Sequence, residues 1–220
     1  MNGNKRFKKF IYTSREERAK YTALRYERYL KGRILDVGCY NKALKKYLGV
    51  AIEYTGIDIA GNPDIFVDLE KEKIPFQDNT FDCVVCTDVL EHLDNIHDVF
   101  DELIRVSKSY IILSLPNNWS VAKVPIIIGK GNLKFYGLPP DKPQDRHKWF
   151  FNYSEAEQFV RERARKKGVR VLICEPYFGE SRNLLTSAIR AVLSFLFKGQ
   201  RYRNWFAQAI WCVLEKEHRR

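Results

Sequence analysis

The stretch "RILDVGCYNKAL" (33–44) decides the fold. Ile34 and Leu35 run into Asp36, and Val37 and Gly38 then lead into a polar turn. A short apolar run that ends in a carboxylate and a glycine is a buried strand leaving a sheet. The run after it, "KALKKYL" (42–48), predicts a helix. The same alternation continues along the chain. "YTGIDI" (54–59), "DIFVDL" (64–69), "FDCVVCTD" (81–88) and "YIILSLP" (110–116) predict strands, and "IHDVFDELIRVS" (96–107) predicts an amphipathic helix. Strands alternating with helices imply parallel strands joined by crossovers, a doubly wound α/β sheet.

On either side of that core, residues 13–31 predict a helix capped by Ser14 with Glu17. Residues 154–168 predict another, capped by Ser154 with Glu157 and ended by Gly168. "VRVLICEPYF" (169–178) and "FAQAIWCVLEK" (206–216) predict the last two strands. The 220 residues are expected to form a single domain with two decorations, 117–150 and 179–205. No secretory leader is evident and no apolar run reaches the ~18 residues that span a bilayer, so a cytoplasmic protein is expected.

Charge is unevenly spread. Residues 1–33 carry a net +8, residues 34–120 a net −8, and residues 121–220 a net +11. An anionic partner should therefore meet the ends of the chain rather than its middle. The C-x-x-C of Cys83 and Cys86 reads as two buried thiols, because positions i and i+3 of a strand face opposite sides. No second Cys or His pair completes a zinc site, so no metal is assigned.

Ligands of an open α/β sheet bind beyond the carboxyl ends of its strands. Those ends present Asp36-Val37-Gly38-Cys39, then Asp58, then Asp68, then Thr87-Asp88. A carboxylate at the second strand's end suits the vicinal hydroxyls of a ribose. A dinucleotide site would need G-x-G-x-x-G, and only Gly38 is present, which argues against a nicotinamide-dependent oxidoreductase. Four acidic strand ends favour a cationic ligand.

The motifs "ILDVGC", "YTGIDI" and "FVDLEKEKIPFQDNTFDCVVCTDVLEHL" together resemble the class I S-adenosylmethionine-dependent methyltransferases, closely over about residues 30–115. The resemblance implies a Rossmann-like sheet of seven strands, mostly parallel, with the last strand antiparallel. It implies S-adenosyl-L-methionine as cofactor, and it assigns roles by position. Asp36 and Gly38, with Cys39 and Tyr40 in the turn, would lie at the methionine end. Asp58 would hold the ribose and Ile59 the adenine face. Asp68, with Leu69 beside it, would accept from the adenine amino group. Thr87 and Asp88 would line the methionine side. Relatives usually read G-C-G-x-G in the first turn, whereas this chain places Tyr40 and Lys42 at two of those glycines.

A hydroxyl acceptor needs its proton removed, and His92 and His147 are the candidate bases, with Asp145 placed to orient the latter. Glu91 reads as a solvated helix residue. No N/D/S-P-P-Y/F tetrapeptide follows the fourth strand, which argues against amino-methylation of nucleic-acid bases. In the last decoration, Leu184, Leu185, Ala188, Ile189, Val192, Leu193, Leu196 and Phe197 form one helical stripe, flanked by Arg182, Arg190, Lys198, Arg201 and Arg203. That pattern fits either an interfacial helix on anionic lipid or a helix docked on its own domain or a second copy. The expected activity is methyl transfer to an oxygen or nitrogen of a small-molecule or lipid-linked acceptor, a glycan carrier included. The competing expectation is a module without turnover that binds membrane or RNA through its basic ends.

Overall fold

A computed structural model describes residues 12–129, 135–143, 145–179 and 197–217. The chain begins with helix α1 (Arg15–Arg25) and a 3-10 turn (Glu27–Tyr29), then enters strand β1 (Arg33–Val37). Strands β2 (Glu53–Asp58), β3 (Ile65–Phe66) and β4 (Phe81–Thr87) follow, then helix α2 (Ile96–Val106) and strand β5 (Ser107–Pro116). Helices α3 (Asn118–Ile127) and α4 (Tyr153–Lys166), strand β6 (Val169–Tyr177), helix α5 (Gly199–Phe206) and strand β7 (Ala209–Lys216) complete the described elements.

The strands form one seven-stranded sheet in the order β3-β2-β1-β4-β5-β7-β6. β1 pairs in parallel with both β2 and β4, and β4 pairs in parallel with β5. β7 enters antiparallel between β5 and β6, as the resemblance implied. The order reverses on either side of β1, between β2 and β4, and this switch point is where such sheets bind ligands.

Alternate strand residues feed two cores. Leu35, Val84, Ile111 and Leu214 face α2 and α4, while Ile34, Cys83, Ile112 and Trp211 face α1. Cys83 and Cys86 fall into opposite cores, as their spacing predicts. α2 buries Val99, Phe100, Leu103 and Val106 as a single stripe. α1 docks through tyrosines: Tyr26 stacks on Trp211 with ring centroids 5.5 Å apart, and Tyr21 lies 5.2 Å from the same indole. Among the described residues, no helix is long and apolar enough to cross a membrane.

Several local expectations are corrected. The helix expected over 13–31 stops at Arg25, because Tyr26, Tyr29 and Leu30 must all turn inward before β1. The segment expected as helix 42–48 is a 3-10 turn, Ala43–Tyr47, entered through Lys42 in the left-handed region. α4 is capped by Asn152 rather than Ser154. Asn152 Oδ1 accepts from the backbone N–H of Ser154 (2.9 Å) and Glu155 (3.1 Å), and Glu155 Oε2 accepts from Asn152 N–H (2.8 Å). This reciprocal box satisfies more orphan donors than a serine could. Glu157, two residues farther along, instead accepts from Arg161. β7 begins at Ala209, since Phe206 closes α5. The apolar run near 124–129 belongs largely to α3, which the sequence pattern did not reveal. The apolar stripe from Leu184 to Leu196 lies outside the described residues.

Candidate active site

The exit of β1 is held open by a tight turn. Gly38 has φ +78°, and a Cβ there would lie 2.1 Å from Val89 Cγ2. Its glycine is thus required by the neighbouring Val89 as well as by the backbone angle. Gly38 N–H and Cys39 N–H both donate to the carbonyl of Ile57, which ties the turn to β2. The two non-glycine residues that depart from the family pattern keep glycine-like geometry, with φ +47° at Tyr40 and φ +56° at Lys42. Each left-handed residue costs about 1–2 kcal/mol, and the surroundings offset it. Tyr40 N–H donates to Asp58 Oδ2 (2.7 Å), and Lys42 Nζ pairs with Asp64 Oδ1 (2.9 Å). The lysine charge is therefore paired with Asp64.

Asp58 ends β2 as expected. Its Oδ2 accepts from Tyr40 N–H and its Oδ1 from Ala60 N–H (2.9 Å). Each carboxylate oxygen has two lone pairs, so one remains on each for a ribose hydroxyl. Ile59 stands next to it, 65 % exposed, an apolar surface at the rim. Phe66 lies across from Asp58 in the β2–β3 register and is also exposed, a rim aromatic that sequence reading left unassigned.

Asp36 is buried at the end of β1 and accepts from Tyr54 Oη–H (2.7 Å). Burial raises its pKa from the ordinary 3.8 to about 6, against the lowering effect of Tyr54 and of Arg18 nearby. Arg18 projects from α1 and pairs with Asp88 Oδ2, while Ser114 Oγ–H donates to Asp88 Oδ1 (2.6 Å). Arg15, Arg18, Asp36, Gly38, Tyr40 and Thr87 surround a cavity of about 30 Å³ between α1 and the strand ends. That volume holds about one water. The Arg15 guanidinium lies over the Tyr40 ring at 4.3 Å, and both residues line the cavity. Cys39 is buried beneath the turn against Gly56.

Asp36 and Asp58 lie close enough for each charge to be felt at Cys39, and Asp64 joins them there. Asp68 follows Val67, whose backbone N–H donates to the Asp58 carbonyl (3.0 Å). Asp68 accepts from Glu70 N–H (3.1 Å) and pairs with Lys71 (2.7 Å), whose ammonium lowers its pKa. Leu69, expected beside adenine, has its side chain in the core at 9 % exposure, and its carbonyl accepts from Asn95 Nδ2–H (2.7 Å).

On the other side of β4, His92 and His147 meet with ring centroids 4.6 Å apart. His92 Nδ1 lies 2.8 Å from Asp145 Oδ1, so Asp145 orients His92 rather than His147. His147 Nδ1 contacts Tyr136 Oη (2.8 Å), and its ring stacks on Phe135 at 4.5 Å. Burial, with His92 beside it, brings the His147 pKa down to about 4, so its imidazole is neutral at neutral pH. Glu91 corrects the expectation of a solvated residue: it is 1 % exposed, and burial first and Asp88 second push its pKa well above the usual carboxylate range.

The donor set suits a cationic nucleoside. Two carboxylates with spare lone pairs sit at adjacent strand ends, and the rim is apolar. A pH test follows from Asp36. The unfolded chain ionises Asp36 near 3.8 and the folded chain near 6, so its contribution to stability is fully present below 3.8 and is lost as pH rises through about 6. The loss amounts to roughly 3 kcal/mol at about 1.4 kcal/mol per pKa unit. Asp36→Asn should gain stability relative to the natural chain between pH 4 and 7, read by urea denaturation, while its affinity for S-adenosylmethionine falls. A constant difference across that range would remove the buried-acid explanation.

Comparison with known proteins agrees with this architecture. Residues 12–176 match the family described as "Methyltransferase domain". The fold is similar to a SAM-dependent methyltransferase from Archaeoglobus fulgidus, 22 % identical, with TM-score 0.61 over 91 % of this chain and 94 % of that one. It is also similar to the small RNA methyltransferase HEN1, 14 % identical, with TM-score 0.58 over 92 % of this chain and 25 % of that one. A third similar structure is an S-adenosylmethionine-dependent methyltransferase from Clostridium acetobutylicum, 11 % identical, with TM-score 0.57 over 94 % of both chains. No curated protein matches the chain. With the family match spanning three quarters of its length and the seven-stranded sheet beneath it, the chain belongs to the class I S-adenosylmethionine-dependent methyltransferases.

Proposed function

We propose that the chain binds S-adenosylmethionine at the β1–β2–β4 strand ends and methylates an oxygen or nitrogen of a small-molecule or lipid-linked acceptor. The observation that carries this reading is the pairing of Asp36 and Asp58 at adjacent strand ends, with Asp58 fixed by two backbone N–H donors. Asp58 would take the ribose hydroxyls, and Ile59 would lie against the adenine. Asp36 would face the cationic methionine end, while Arg15 or Arg18 would meet its carboxylate. When bound, the cofactor supplies a methyl group on a sulfonium, and its transfer breaks an S–C bond, forms an O–C or N–C bond and leaves a neutral thioether.

The protein's part is to align the acceptor and to manage its proton. His92, in the 3-10 turn Leu90–His92 that follows Thr87 and Asp88, and His147, packed against it, would stand on the acceptor side. A lipid-linked acceptor would draw on the basic C-terminal part of the chain. The described end of that segment, α5, is docked on its own domain: Asn117 Nδ2–H donates to the carbonyls of Asn204 (2.8 Å) and Ala207 (2.7 Å). A small-molecule acceptor is therefore the simpler version, and flotation with anionic vesicles separates the two.

Titration calorimetry of the natural chain with S-adenosylmethionine, S-adenosylhomocysteine and NAD tests the cofactor. Micromolar binding of the first two and none of NAD is expected. Binding of NAD alone would replace this reading with a redox one.

A further inference from the structure

The cluster beyond β4 contains a buried group that methyl transfer does not explain. Glu91 is 1 % exposed, and among the described residues its Oε2 has no hydrogen-bond partner. A buried carboxylate oxygen without a partner is costly unless a cation or donor reaches it. Its other oxygen, Oε1, lies 3.7 Å from His92 Nε2. Glu91, His92 and His147 each bring one ligand atom to within 4.8 Å of the others. We propose that these three side chains form a binding site for one divalent transition-metal cation, open on the acceptor side.

The surroundings present the imidazoles as ligands. Asp145 holds His92 Nδ1 at 2.8 Å, with the Arg146 carbonyl also near it, and leaves Nε2 facing Glu91. Tyr136 Oη–H donates to the Trp149 carbonyl (3.2 Å), so the hydroxyl accepts from His147 Nδ1–H and leaves the Nε2 lone pair available. A carboxylate or hydroxyl on the remote nitrogen is the usual way a metal-binding histidine is oriented. The loop bearing His147 is also pinned: Lys148 N–H donates to the Glu91 carbonyl (2.8 Å) and Trp149 Nε1–H to the Leu93 carbonyl (2.7 Å). Asp88 is not a member of the set, being held by Arg18 and Ser114.

Two imidazoles with one carboxylate favour Zn²⁺, Mn²⁺, Co²⁺ or Fe²⁺ over Mg²⁺ and Ca²⁺, which prefer oxygen ligands. Bonds of about 2.1 Å require the ligand atoms to close in by side-chain rotation from their present separations, 3.7 Å between Glu91 Oε1 and His92 Nε2 and within 4.8 Å for the set. Three protein ligands leave coordination positions for an exogenous donor, the arrangement of a catalytic rather than a structural site. A hydroxyl held there gives up its proton to solvent more readily and keeps its lone pair as a nucleophile. The site thus favours an oxygen acceptor over a nitrogen one, and it makes His92 and His147 ligands in place of general bases. This use of the cation rests on the methyl-transfer reading, whereas the cation site itself does not.

The test is titration of the chelator-treated, untagged full chain with Zn²⁺, Mn²⁺ and Mg²⁺, with S-adenosylmethionine titrated separately into the same preparation. One equivalent of Zn²⁺ or Mn²⁺ is expected to bind with micromolar or tighter affinity and Mg²⁺ far more weakly. Glu91→Gln and His147→Ala should each weaken cation binding at least ~10-fold, with circular dichroism and S-adenosylmethionine affinity unchanged. Absence of cation binding by the natural chain overturns the proposal whatever the variants do, and so does equal binding by both variants. Intact cation binding without S-adenosylmethionine binding would instead remove the cofactor reading and leave the metal site standing.

Discussion

Asp58→Ala is expected to weaken S-adenosylmethionine binding about 100-fold or more. Hydrogen bonds to a charged group contribute roughly 1.5–3 kcal/mol each, and two ribose hydroxyls are involved. At ~1.4 kcal/mol per factor of ten, the lower figure for both bonds already gives about two orders of magnitude. The same substitution frees Tyr40 N–H and Ala60 N–H, which the carboxylate now receives. Tyr40 is left-handed at φ +47°, so the turn loses part of what holds it in that conformation. Asp58→Asn keeps one acceptor oxygen and should lose less. Calorimetry with both variants, alongside their thermal midpoints, separates lost ligand contacts from a collapsed turn. Unchanged affinity in the alanine variant would move the ribose elsewhere.

Trp211→Ala should lower stability by about 3–5 kcal/mol, the range for deleting a large buried aromatic. Trp211 is fully buried on β7, its indole N–H donates to Tyr12 Oη (3.0 Å), and three tyrosine rings surround it. A void would open between the sheet and α1. The consequence reaches function because α1 carries Arg15 and Arg18, which line the cavity, and Arg18 pairs with Asp88. Urea denaturation should show the loss, and limited proteolysis should cut earlier within α1. Trp211→Phe keeps a ring in place and should recover most of the stability. A loss below about 1 kcal/mol in the alanine variant would mean that the aromatic cluster does not anchor the helix.

Local pattern was sufficient wherever one element's own side chains decide the outcome. Period-two and period-3.6 spacing located all seven strands and α2, and the strand ends delivered Asp36, Asp58, Thr87 and Asp88. The pattern was weaker at boundaries, where a cap or a turn competes. Asn152 takes α4 from Ser154 because its side chain serves two backbone donors at once. The segment 42–48 is too short to sustain a full helix against the left-handed entry at Lys42.

What the amino-acid order determined by itself was the doubly wound sheet and its acidic crest, because periodicity and strand-end chemistry are local properties of the chain. The tertiary structure alone decided which groups meet. It buried Glu91 and the Leu69 side chain, paired Asp68 with Lys71 and brought His147 against His92 across 54 intervening residues. It also assigned Asp145 to His92 and Arg18 to Asp88. Burial and long-range contact depend on how layers stack, and no local spacing records that.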